Sequence, residues 1–262
     1  MTSLILPPSE TKRDGGAAGS SLDLAALSFA DLTDARRPVL DALGSLAAGD
    51  AASAARALKL SARSAERELA RNRAVRSSAT LPAIDRYTGV LYDALDAATL
   101  SAAARDRAQR SVLVHSAVFG LVRAGDAIPA YRLSHDSRLP GLPLKRHWSS
   151  ANAAVLASIE GPIIDLRSEG YAALGPLPAR EDAFFVRVVS LGEDGATRAL
   201  NHFNKKGKGA FVRALLERGP LPSTIEGVIA AAGECGWPMR PGAAGELELI
   251  VPATLDGFTR AS

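Results

Sequence analysis

Pro162-Ile163-Ile164-Asp165-Leu166-Arg167-Ser168-Glu169-Gly170-Tyr171 reads as a short buried strand running directly into a charged turn. Such a strand delivers Asp, Arg, Ser and Glu to the edge of a sheet, where ligands of α/β proteins sit. A second polar cluster, Asn204-Lys205-Lys206-Gly207-Lys208-Gly209, enters the helical stretch Ala210–Leu216. Its cations, flexible glycines and backbone N–H groups suit a phosphate at a helix N-terminus. Each cluster also has a plainer reading: a solvated turn with internal ion pairs for the first, an exposed loop for the second. The second is not a P-loop, because the Gly-x-x-x-x-Gly-Lys-Ser/Thr spacing is absent.

Working outward, the other expected strands are Ser3–Leu6, Ser111–Ser116, Phe184–Leu191 and Glu246–Val251, with strand-like alternation at Ala130–Ser134. Helical spacing runs through Leu22–Leu46, Val90–Leu100, Lys145–Ile159 and about Ser223–Ala232. Ala51–Arg76 reads as one long surface helix, its arginines a solvated face partly neutralised by Glu66 and Glu68. The polar loop Ser9–Ser20 is either a mobile surface loop or a flap over a site. Strands and helices alternate, so the expected class is α/β, a mixed sheet flanked by helices in one compact domain over 1–262.

The chain has 262 residues, 47% hydrophobic and 23% charged, ordinary values for a globular protein. Its 31 Lys+Arg against 28 Asp+Glu give a net charge of +3, which permits a nucleic-acid partner without requiring one. One cysteine, Cys235, excludes an internal disulfide framework and fits a reducing compartment. With no signal-peptide pattern and no span-length apolar run, a cytoplasmic location is expected.

The histidines His115, His135, His147 and His202 lack metal-ligand spacing, so no metal and no cofactor are expected. Asp165 and Glu169 could share acid/base duties in a cleft, with Ser168 a nucleophile if a histidine lay beside it. The two acids could equally hold Arg167 or nearby lysines by ion pairing. His115, at the end of a buried strand, reads better as a satisfied core histidine than as a base.

Pro7-Pro8-Ser9-Glu10-Thr11-Lys12, Arg86-Tyr87-Thr88-Gly89, Phe119-Gly120-Leu121-Val122-Arg123 and Pro129-Ala130-Tyr131-Arg132 recur together in one known family. So do His147-Trp148, the Asp165–Tyr171 cluster, the Asn204–Gly209 cluster and Gly245-Glu246-Leu247. In this order, over about 240 residues, the chain resembles the YaaA peroxide-stress protein family, in a high-GC bacterial branch. Better-known members carry Ser-Pro-Ala-Lys where this chain has Pro-Pro-Ser-Glu-Thr-Lys.

The resemblance implies the cantaloupe fold with a basic cleft, association with DNA under oxidative stress, and a part in iron homeostasis. It also implies a helix-hairpin-helix-like element, whose counterpart here is Phe119–Arg123. On this reading Lys12, Arg86, Arg123, Arg132, Arg167, Lys205, Lys206 and Lys208 line the cleft from separate segments. Tyr87, Tyr131, Trp148 and Tyr171 offer stacking surfaces among them, with core packing as the competing reading. The expected partner is DNA, double-stranded or locally melted, or a small nucleotide-like ligand, with no membrane. The alternative is an enzyme acting on a nucleotide or modified nucleobase, with Asp165 and Glu169 as acid and base.

Overall fold

The computed structural model describes residues 1–191, 197–199 and 204–251. In chain order the first half contains β1 (Ser3–Leu6), α1 (Thr33–Ala48), α2 (Ala51–Ala57), α3 (Ala62–Arg73), β2 (Leu81–Pro82), α4 (Ala83–Arg86), α5 (Val90–Leu95), α6 (Ala102–Ser111), β3 (Val112–Ser116), β4 (Gly120–Arg123) and β5 (Ala127–Ile128). The second half contains α7 (Leu144–Ser158), β6 (Ile163–Asp165), α8 (Glu169–Ala172), β7 (Ala183–Leu191), β8 (Thr197–Ala199), α9 (Asn204–Arg218), α10 (Ile225–Glu234), β9 (Met239–Pro241) and β10 (Glu246–Val251).

One mixed sheet carries the fold, in the order β4-β3-β1-β6-β7-β10-β9, with β8 paired to β7. The five strands from β3 to β10 run parallel, while β4, β8 and β9 pair antiparallel. Every residue of β1, β3 and β6 is buried, as expected for parallel strands covered on both faces. By contrast β10 alternates buried and half-buried positions along Glu246–Val251. Two helical groups pack on this sheet: α1, α2, α3 and α7 in one, α5, α6, α9 and α10 in the other.

The chain leaves β1 to pair β3 on one side and later returns to pair β6 on the other. That reversal makes β1 a topological switch point, and the crevice beyond the carboxyl ends of such strands is where α/β folds place ligands. The loop after Leu6, residues His115 and Ser116, and Asp165 with Arg167 all issue from that edge.

Several expected elements differ. The predicted long helix over Ala51–Arg76 is two helices, broken where Lys59 takes a left-handed φ of 55° and Leu58 turns into the core. Within Leu22–Leu46 the α-helix starts only at Thr33, after a 3-10 turn at Ala30–Leu32. The helix from Val90 stops at Leu95, because Asp96 is left-handed at φ 45° and a 3-10 turn follows. Ala130–Ser134 joins no strand. Its backbone is held instead by the buried Asn72, whose side chain accepts from Arg132 N (2.7 Å) and donates to Arg132 O (2.9 Å).

Phe119–Arg123 is no helix-hairpin-helix counterpart: it turns into β4 and pairs antiparallel with β3. Gly120 sits at φ +63°, where an added Cβ would lie 2.7 Å from Asn152 Oδ1 and 2.9 Å from Trp148 Cζ3. A glycine enclosed in this way presents no surface to a phosphate. The lysine–glycine cluster is likewise not a loop before a helix but the first turns of α9, with Gly207, Lys208 and Gly209 buried. Gly209 is required by close approach rather than flexibility, since a Cβ there would overlap the Leu91 carbonyl oxygen of α5.

Candidate functional site

Lys12 lies in the loop that follows β1. Its side chain is 6% exposed, and its Nζ donates to the carbonyls of Ser9 (2.8 Å) and Glu10 (3.4 Å). The ammonium stands 4.1 Å from the Tyr131 ring centroid and 5.4 Å from that of Tyr87, a cation held over two aromatic faces. Burial lowers its pKa to about 7, with Arg132 and Arg71 acting in the same direction and Glu10 and Glu68 opposing it.

The two rings belong to a buried hydroxyl chain, Tyr87 Oη to Tyr131 Oη (2.8 Å) and Tyr131 Oη to Ser116 Oγ (2.8 Å). Ser116 Oγ accepts from the amides of Val118 and Phe119, both at 3.1 Å. With both lone pairs used, the serine donates to Tyr131, and Tyr131 in turn donates to Tyr87. The relay is therefore directed toward Lys12's neighbour. The Ser9–Ser20 segment is tied down rather than hanging free: Arg13 N donates to Arg86 O (2.9 Å), Ala17 N to Thr80 O (3.0 Å), and Lys12 pairs with Tyr87 as an isolated bridge.

A polar cleft of about 510 Å³, lined in part by Lys12, lies between the Glu10–Asp14 segment, the α2–α3 turn, α3 and Arg132. Five cations line it, Lys12, Lys59, Arg67, Arg71 and Arg132, against three carboxylates, Glu10, Asp14 and Glu68. Arg71 spans two of the acids, reaching Asp14 at 2.5 Å and both Glu68 oxygens at 2.9 and 3.0 Å. Arg67 also reaches Glu68 (3.1 Å), and Arg132 Nη1 pairs with Glu10 (2.9 Å). Lys59 pairs with Asp136. Arg132 Nε is buried and has no hydrogen-bond partner among the described residues, so one charged donor is left over at the cleft wall.

The charged turn after β6 forms a second, closed cluster. Asp165 and Arg167 are fully buried. Arg167 Nε donates to Asp165 Oδ1 (2.8 Å), Nη2 to Oδ2 (2.6 Å), and its backbone N to Oδ1 (3.0 Å). The remaining guanidinium donor, Nη1, reaches His115 Nδ1 at 2.5 Å. Because arginine only donates, Nδ1 accepts and the ring is neutral; a proton on Nε2 then requires the Asn152 amide, 2.9 Å away, to present its oxygen to the ring. Burial and then the Arg167 charge hold the His115 pKa well below its ordinary value. Lys208 caps the cluster by donating to Arg167 O (3.2 Å), its own pKa lowered by burial to about 8 against the pull of Asp165.

The neutral His115 has a consequence for stability. A base whose folded pKa is depressed adds stability above its unfolded value, about 6.5, and loses it as pH falls toward the folded value. Urea unfolding at pH 7.5 and 5.5 is expected to show a loss at the lower pH. That loss should shrink in His115→Gln, and equal pH dependence in the two proteins would contradict the assignment.

The expected acid pair does not share a pocket. Glu169, in the first turn of α8, is exposed and paired with Arg187 (2.5 Å), which also holds Glu246 (2.8 Å). That pairing lowers the Glu169 pKa. Ser168 is exposed at the start of α8.

The predicted cations scatter in the same way. Arg86 is fully buried, and its guanidinium donates to the carbonyls of Ile128 (3.0 Å), Arg13 (2.5 Å) and Ala79 (2.9 Å), tying three segments together. Arg123 lies on the edge strand, donating to Arg110 O (2.7 Å) and stacked over Phe29. Lys205 and Lys206 lie on the first turn of α9, outside the cleft lining. Lys12 and Arg132 alone, of the eight predicted cations, line the cleft.

Among the aromatics, Trp148 is a core residue whose Nε1 donates to Ala117 O (2.9 Å). Tyr171 is buried against His135 and His115, with ring centroids 5.0 and 6.3 Å away. Sequence reasoning does not single out Glu10, Asp14, Lys59, Arg67, Glu68 or Arg71 as cleft residues. The signal that marks them is the Leu58-Lys59-Leu60 interruption, which turns the following Arg/Glu face of α3 inward, together with the i,i+3 pair of Glu68 and Arg71. Among the described residues no group of three or more His, Cys, Asp or Glu could hold a metal ion. None of the described helices is long and apolar enough to cross a membrane.

Comparison with known proteins identifies sequence relatives of the chain. A family model described as Peroxide stress protein YaaA matches residues 2–231. A UPF0246 protein of Corynebacterium efficiens is 44% identical over 232 residues, covering 87% of this chain and 89% of the relative. A UPF0246 protein of Corynebacterium glutamicum is 42% identical over 238 residues, covering 89% and 92%. One from Streptomyces coelicolor is 42% identical over 237 residues, covering 89% and 90%.

Proposed function

The chain belongs to the YaaA peroxide stress protein family, and from that premise we propose that it answers peroxide stress on DNA, holding a nucleotide displaced from the duplex in the cleft beside Lys12 and so limiting iron-driven damage. The observation that carries this reading is Arg132 Nε, a buried charged donor of a cleft-lining residue with no hydrogen-bond partner among the described residues. A phosphate oxygen would accept from that donor in a charge-assisted bond. A volume of about 510 Å³ lies within the range of small-molecule sites and accepts one nucleotide rather than a duplex. Taking a base out of the stack is least costly where the duplex is already damaged or unpaired, which fits a protein of the stress response. A proton-transfer role for Asp165 is less well supported, because both its oxygens are committed to Arg167.

The test compares a fully paired duplex with one carrying a single unpaired nucleotide, each titrated with salt. The parent is expected to prefer the unpaired site. Arg132→Ala is expected to weaken that binding by roughly tenfold or more, as loss of a hydrogen bond to a charged group does. Lys205→Ala with Lys206→Ala should flatten the salt dependence by about 0.9 in log–log slope for each phosphate no longer neutralised, while leaving the preference intact. Equal affinity of the parent for both duplexes, unchanged by Arg132→Ala, would overturn the reading.

A further inference from the structure

We propose that Lys12 is a covalent-binding amine, whose Nζ forms an imine with the carbonyl of a phosphorylated sugar seated in the cleft. The inference rests in part on the anion-binding reading of that cleft, and adds a reaction to it.

Of the five cations lining the cleft, only Lys12 and Lys59 are amines, since guanidinium groups stay protonated. Lys59 is exposed and ion-paired with Asp136. Lys12 differs in each respect. It is buried, its Nζ is held only by the backbone carbonyls of Ser9 and Glu10 and by two tyrosine faces, and no carboxylate lies within ion-pair distance among the described residues. The charged groups acting on it are Glu10 from its own loop, Arg132 from the segment facing it, and Glu68 and Arg71 from α3. These divide evenly between raising and lowering, so burial decides, and the amine titrates near neutrality. A lysine desolvated beside other cations is the usual way a protein keeps a free amine nucleophile at working pH.

The step balances without an outside oxidant or reductant. The neutral Nζ lone pair attacks the aldehyde or ketone carbon, forming a C–N bond and sending the carbonyl π electrons to oxygen. Proton transfer from nitrogen to that oxygen gives a carbinolamine, and loss of water breaks the C–O bond to leave the imine. Arg132 Nε is the donor left to hold the sugar's phosphate. Two sources share this chemistry, an abasic deoxyribose in DNA and a free sugar phosphate.

The full-length protein is incubated with ribose 5-phosphate, or with an oligonucleotide containing one abasic site, in the presence of cyanoborohydride. That reductant delivers hydride to the imine and fixes it as a secondary amine. Peptide mapping by mass spectrometry then locates the adduct. Burial favours the free amine at Lys12, whereas Lys59 is exposed and ion-paired, so labelling at Lys12 is expected to exceed that at Lys59 by roughly tenfold or more. Its rate should rise with pH through a midpoint near 7, and inorganic phosphate should suppress it. Labelling by the abasic oligonucleotide assigns the source to DNA. Labelling by ribose 5-phosphate alone assigns it to a small molecule, keeping the amine chemistry while removing the DNA reading. Affinity for the same oligonucleotide, measured without reductant, separates failure to bind from failure to react. Lys12→Arg is expected to lose the label. Labels spread over surface lysines in proportion to exposure, or none at Lys12 with either probe, would overturn the proposal; because this is read on the parent protein, it holds even if the variant fails to fold.

Discussion

Asp165→Ala is expected to cost about 3–5 kcal/mol of stability, the loss that follows when one partner of a buried ion pair is removed and the other charge stays behind. Arg167 is fully buried, donates to Asp165 three times, and meets only the neutral His115 with its remaining donor. Without the carboxylate its charge has no counter-ion within the cluster, and Lys208 nearby adds a second cation. The melting temperature should fall on the order of 10 °C for a chain of this size. Asp165→Leu combined with Arg167→Met should recover much of that loss, because apolar residues of similar volume often match a buried pair. Glu169→Gln provides the contrast: that carboxylate is exposed, and its pairing with Arg187 is screened by solvent, so its melting curve should stay close to the parent's. Thermal unfolding of the four proteins checks all of this. A loss under about 1 kcal/mol for Asp165→Ala would contradict the buried-pair account.

Gly209→Ala is the second large effect, and its sign is diagnostic. In an exposed helix interior, alanine is better than glycine by about 1 kcal/mol. Here the new Cβ would overlap Leu91 O and lie 2.9 Å from Leu91 C and 3.1 Å from Ala94 Cβ. Two of those atoms are backbone, so no rotamer change relieves the clash, and α5 must move away from α9. A net loss of about 3 kcal/mol is expected, the upper part of the range for overpacking. Chemical denaturation measures it, and a variant as stable as the parent would show that the helices do not cross so closely.

Where hydrophobic periodicity is strong, the fold is readable from the chain alone. Ser3–Leu6 and Ile163–Asp165 are strands buried along their whole length, and Glu246–Val251 is a strand whose alternate residues Leu247, Leu249 and Val251 are buried. Alanine-rich stretches are less informative. Nothing in Ala51–Arg76 forbids a continuous helix, and the break at Lys59 is set by Leu58 entering the core, a tertiary demand that local propensity does not encode. The same limit applies to the glycines at 207 and 209, which read as loop residues in isolation and are packing residues in the fold.

The site is only partly legible, for a related reason. Charged residues read as ligands for phosphate, yet Arg86 and Arg167 are buried and spend their guanidinium donors on the protein itself. Guanidinium has enough donors to serve as an internal clamp, and a sequence does not distinguish that use from ligand binding. Lys12 and Arg132 line this mixed-charge cleft together with Glu68 and Arg71, which read as part of a solvated face because the inward turn of α3 has no local signature.

Hydrogen exchange of the parent protein, free and with an oligonucleotide carrying one unpaired nucleotide, tests most directly whether this cleft holds nucleic acid. Amides of residues 9–20 and of the first turns of α3 are expected to exchange more slowly in the complex, while those of α10, remote from the cleft lining, stay unchanged. Binding that leaves the 9–20 and α3 amides at their free rates, with protection confined to other surfaces, would contradict the account.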